Sequence, residues 1–61
     1  MKVTKKFKGC YLIHINGAFV GWIDKLENIN EWICYDKFDR PFETCNTKKY
    51  ALTLFYIGVN V

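Results

Sequence analysis

The sequence predicts an α+β domain, a three-stranded antiparallel meander packed on one C-terminal helix in the order β-β-β-α. Three observations carry that expectation. Runs rich in β-branched and aromatic residues fill the N-terminal part of the chain, Asn16-Gly17 marks a hairpin between two of them, and an apolar stripe at helical spacing begins at Ala51.

Residues 7–15 read as the first strand, 18–26 as the second and 31–37 as the third, each bounded by Gly, Asn or Asp turn signals. The first loop decides which side chains share a face. A two-residue turn pairs Ile13 with Val20, leaves Phe19 and Ile23 with Leu12 and His14, and mixes both faces. A three-residue loop, Ile15-Asn16-Gly17 with Gly17 left-handed, instead collects Tyr11, Ile13, Phe19, Gly21 and Ile23 on one side. That register yields a core and is adopted, and a four-residue loop near 27–30 adds Trp32 and Cys34 to it. The opposite face then carries Cys10, Leu12, His14, Val20, Trp22, Ile33 and Tyr35, with Lys8, Asp24 and Lys37 at its margins.

Asn46 or Thr47 caps the helix, whose stripe of Ala51, Leu54, Phe55 and Gly58 is expected on the core. Tyr50, Leu52, Tyr56, Ile57 and Val59 make it apolar nearly all round, so a strand over 52–59 is the competing reading.

A chain of 61 residues is a single domain, 1–61, and buries only about 60% of its unfolded surface. Lysines at 2, 5, 6 and 8 make residues 1–6 a flexible basic arm within a net charge of +3. Cys10, Cys34 and Cys45 are an odd number without framework spacing, which suits reduced thiols in the cytoplasm, the host cytosol if the chain is phage-encoded. Gly9, His14, Asn16 and Gly17 interrupt the N-terminal apolar run, so neither a signal peptide nor a membrane span is expected.

The positions Tyr11, Ile13, Asn16-Gly17, Val20-Gly21, Ile23, Trp32, Thr47 and Ala51 resemble those of integrase arm-binding and plant ethylene-response-type DNA-binding domains. The resemblance implies a sheet face that enters the major groove with arginines and tryptophans; this face has Trp22 and no arginine. In size and Lys, Asn, Ile and Tyr content the chain is also similar to small phage or mobile-element proteins that modulate host machinery.

Metal binding is not expected, because Cys10 and His14 share a face while Cys34 lies on the other and Cys45 in a loop, short of four convergent ligands. Catalysis by a Cys10 and His14 pair fails on distance, since strand residues i and i+4 stand about 13 Å apart. No enzyme, cofactor or small-molecule substrate is therefore expected. Lys48 and Lys49 follow the helix cap, where an anion would suit the dipole, and with Lys5, Lys6, Lys8 and Lys37 they form the candidate phosphate-binding set. The strongest signal is the apolar sheet face: Leu12, His14, Val20, Trp22, Ile33 and Tyr35 are the candidate partner-binding residues, for a protein partner or a homo-oligomer. The alternative is a nucleic-acid-binding module in which Trp22 and Tyr35 stack on bases.

Overall fold

The computed structural model describes residues 1–59, with side chains to residue 57. The chain forms β1 (Lys2–Phe7), β2 (Cys10–Ile15), β3 (Ala18–Lys25), β4 (Trp32–Asp36), β5 (Pro41–Cys45) and α1 (Lys48–Val59). The strands make one antiparallel sheet in chain order, β1-β2-β3-β4-β5, and α1 packs on one face of it against β3, β4 and β5. The α+β class holds, but the three-stranded meander is corrected to five strands.

Both added strands are edges, and both carry residues that otherwise signal loop. The expected basic arm is β1, whose lysines guard an unpaired strand edge, and Gly9 at φ 85° breaks the long first run into β1 and β2. The expected loop around Pro41 is β5, with the proline at its first residue, where no ladder hydrogen bond from it is needed. Between β4 and β5 the Asp36 carboxylate accepts hydrogen bonds from the amides of Phe38 (2.8 Å) and Arg40 (3.1 Å), and Asp39 takes the left-handed position at φ 65°. Desolvation nudges the Asp36 carboxyl upward, but those amides and the adjacent Arg40 guanidinium outweigh it and hold the group below the usual range.

The β2–β3 hairpin is a two-residue turn, with Asn16 and Gly17 both at positive φ (52° and 82°) and Ile15 opposite Ala18. The three-residue loop is thus corrected, and the mixing of faces is avoided elsewhere. His14 pairs with Phe19 and Ile13 with Gly21, so Val20 is an extra residue, a β-bulge that resets the register. Beyond it Tyr11 faces Ile23 and Leu12 faces Trp22. Phe19, expected on the core face, falls on the other side; Val20, expected on the outer face, packs against the core.

The core on the helix side holds Ile13, Ile23, Cys34, Cys45, Ala51 and Phe55, flanked by Tyr11, Ile15, Val20, Trp32, Leu52 and Leu54. Thr47 caps the helix, its hydroxyl accepting the Tyr50 amide at 3.1 Å, so the competing strand at 52–59 is set aside. Gly58, in the expected stripe, lies outside the residues whose side chains are described. Gly21 sits at φ 152°, and a Cβ there would meet the Tyr35 carbonyl and stand 2.8 Å from the Phe55 ring. The helix can approach β3 only because that position has no side chain.

Two outcomes follow for stability. Gly21→Ala should lower it by about 1–3 kcal/mol or more, through overpacking against backbone that cannot yield, measured by urea unfolding; a near-wild-type midpoint would show that the helix does not depend on this approach. Burial, with the neighbouring Cys45 and Glu43 adding to it, pushes the Cys34 thiol up to about 12. An unfolded thiol ionises near about 8.5, so this contribution is full below that pH and is lost as pH rises from there towards the folded value. Cys34→Ala should therefore flatten the alkaline fall in stability between about pH 8.5 and 11, read from melts of both proteins.

Candidate partner-binding face

The sheet face away from α1 is set by the register. Its rows run Lys2, His14 and Phe19; then Thr4, Leu12, Trp22, Tyr35 and Pro41; then the exposed Phe7, Cys10, Asp24, Ile33 and Thr44. Leu12, His14, Trp22, Ile33 and Tyr35, all expected here, are brought together and are half-buried. Phe19 joins them in place of Val20 and is 37% exposed. The signal that finds Phe19 is the Asn16-Gly17 pair itself, which favours the two-residue turn that puts it beside His14.

The rings form a continuous strip across three strands. His14 lies 5.5 Å from Phe19, Phe19 lies 6.5 Å from Trp22 at an interplanar angle of 14°, and Trp22 lies 4.7 Å from Tyr35 at 11°. The last separation matches the strand spacing of about 4.8 Å, so two nearly parallel rings on adjacent strands stand upright and cover each other's faces. They turn edges outward. His14 Nδ1 is buried without a hydrogen-bond partner, so packing against Phe19, not a polar bond at that atom, holds the ring.

Charge is sparse on this face, with Lys2 in the first row and Asp24 in the last. The other candidate lysines do not converge. Lys5 and Lys48 flank Tyr11 on the helix side, and Lys48 Nζ sits 3.7 Å above the Tyr11 ring, a cation–π contact that offsets its place in the positive first turn of α1. Lys6 is the extra residue of a bulge in β1, Lys8 lines a surface hollow with Lys25, and Lys49 is exposed in the first turn of α1. Lys37 lies at the opposite end of the sheet, where it and Arg40 both approach the ring of the exposed Phe38.

The cysteines also sort differently from expectation. Cys45, expected in a loop, lies in β5 in the same buried cluster as Cys34, and all three thiols are free, each pushed up chiefly by burial. Burial favours the protonated thiol, and the protonated form is a poor nucleophile. Among the described residues no group of three His, Cys, Asp or Glu side chains is placed to hold a metal ion. No helix among them is long and apolar enough to cross a membrane.

The two faces differ in what they do for folding. Ile23→Ala should cost about 2–5 kcal/mol because it empties the fully buried centre, whereas Leu12→Ala on the outer face should cost clearly less. Equal losses in chemical denaturation would show the outer face to be a second core already filled in the monomer.

Comparison of the chain with family models, with curated proteins and with solved structures returns no match.

Proposed function

We propose that this is a small non-enzymatic protein-binding module, a modulator or inhibitor of the kind that small phage and mobile elements encode, acting through the outer sheet face. The observation that carries the reading is the continuous strip of rings from His14 to Tyr35, bordered by Leu12 and Ile33 and almost without charge. Interface centres favour Trp, Tyr and aliphatic side chains and exclude charge, and a contiguous apolar patch of this kind is rarely left open to water. Three free thiols suit a reducing compartment, and the reading places the protein in the cytoplasm.

Nucleic-acid binding is the second reading, and ring orientation weighs against it. A base stacks on an open aromatic face, while Trp22 and Tyr35 spend their facing surfaces on each other. The lysines that would hold phosphates are spread over both ends and both faces of the sheet.

The test is photo-crosslinking in the native cell, with the crosslinking residue placed at Leu12 or Ile33 and, as control, at Lys49. Discrete protease-sensitive adducts from the two sheet positions and not from the control are expected, and they should persist at high salt. Nuclease-sensitive adducts, or none from either sheet position, would sink the proposal.

A further inference from the structure

We propose that the outward face of α1 docks on the surface of an anionic lipid bilayer, a second contact that does not rest on the use of the outer sheet face. The first argument is where open apolar surface lies. At about 100° per residue, Lys49, Tyr50, Thr53, Tyr56 and Ile57 fall within about 120° of arc, opposite the buried Ala51 and Phe55. Tyr50, Tyr56 and Ile57 are 52–60% exposed, against 37% for Phe19 in the outer strip. Two more exposed side chains extend the patch: Met1 beside β1, and Phe42 on β5, whose ring lies 5.4 Å from that of Phe55. Because α1 leans on β3, β4 and β5, a shallow groove opens on its β1 side, lined by Met1, Leu52, Thr53 and Tyr56 with Lys48 and Lys49 at its start.

The second argument is charge. α1 has no acidic residue, and its first turn carries Lys48 and Lys49 where the helix dipole is already positive. Lys5, in the same row of the sheet as Tyr11, adds a third cation on this side. The acids that share the helix side of the sheet, Asp36 and Glu43, stand on β4 and β5, away from β1 and the groove. An anionic surface is the complement.

The third argument separates a bilayer from other anionic partners. Lys49 lies inside the outward arc, between Tyr56 and Thr53. At the centre of a protein interface its ammonium would be desolvated, and such centres exclude charge. At a bilayer the stem lies along apolar groups while the ammonium reaches a phosphate, and tyrosines settle at headgroup level. Met1, Leu52 and Ile57 then enter the apolar margin of the lipid. Nucleic acid would meet the lysines but offers those aliphatic side chains nothing to enter. The helix lies on the membrane and does not cross it, since 12 residues reach about 18 Å and the hydrocarbon core is about 30 Å thick.

Sedimentation of the full chain with lipid vesicles tests this. Vesicles of equal parts phosphatidylglycerol and phosphatidylcholine should carry the protein down, pure phosphatidylcholine should carry about tenfold less, and binding should fall as salt rises. Lys49→Ala should weaken binding about fivefold, the share of one lysine at an anionic surface. Ile57→Glu and Tyr50→Glu should each weaken it by about tenfold or more while melting near the wild type, because each loses apolar contact and adds a repelled charge. Leu12→Lys, on the opposite side of the sheet, should leave binding intact, and soluble glycerol phosphate should not compete. Equal binding to both vesicle types, binding to neither, competition by glycerol phosphate, or wild-type binding by both glutamate variants would overturn the proposal. Loss of vesicle binding in a folded Leu12→Lys protein would move the contact to the sheet face and overturn it as well.

Discussion

The structure turns on the bulge at Val20-Gly21. An antiparallel pair has period two, so one extra residue in β3 moves every side chain beyond it to the other face. Before the bulge, the tight Asn16-Gly17 turn sets Phe19 beside His14 on the outside. After it, Gly21 and Ile23 lie inside with Ile13 and Tyr11, and Trp22 lies outside with Leu12. Without the extra residue the two-residue turn would leave both faces equally mixed. The bulge also delivers a glycine to the place where Phe55 of α1 meets β3, so one irregularity sorts the faces and admits the helix.

That arrangement leaves the two faces unequal. The inner one is small and covered by α1, and burial keeps its Cys34 and Cys45 thiols protonated. Lys48, which a helix N-terminus repels, finds its stabilising partner in the Tyr11 ring, which itself lies 6.0 Å from Trp32. An apparently misplaced charge is thus part of the seam between helix and sheet. Both faces carry aromatic side chains, Tyr11, Trp32 and Phe55 on the inner one and Phe19, Trp22 and Tyr35 on the outer one, and α1 packs on the inner set.

Much of this was legible in the sequence. The helix with a cap at Asn46 or Thr47, the three central strands and the Asn16-Gly17 hairpin follow from propensity, turn chemistry and period, whereas the grouping of Leu12, His14, Trp22, Ile33 and Tyr35 was reached through a three-residue loop that the structure replaces with a two-residue turn and a bulge. What escaped has a common physical cause. Edge strands defend themselves with lysine, proline and bulges, and those same residues mark loops and frayed ends when the chain is read alone. Hence Lys2–Phe7 looked like an arm and Pro41–Cys45 like a loop. The bulge was hidden for another reason: turn type and strand pairing trade one residue against each other, and only the packing of Phe55 against Gly21 decides which of them carries it.

Those defended edges bear on how the molecule meets others. A sheet that is paired in the middle and blocked at both margins cannot grow laterally, so its remaining means of contact are side chains, not backbone. Side-chain contact between sheets rewards relief and penalises charge, whereas backbone pairing is nearly blind to both. The outer face carries the stacked rings of Trp22 and Tyr35, with Lys2 and Asp24 at opposite ends. The features that made β1 and β5 hard to recognise are therefore the ones that guard the edges of the sheet.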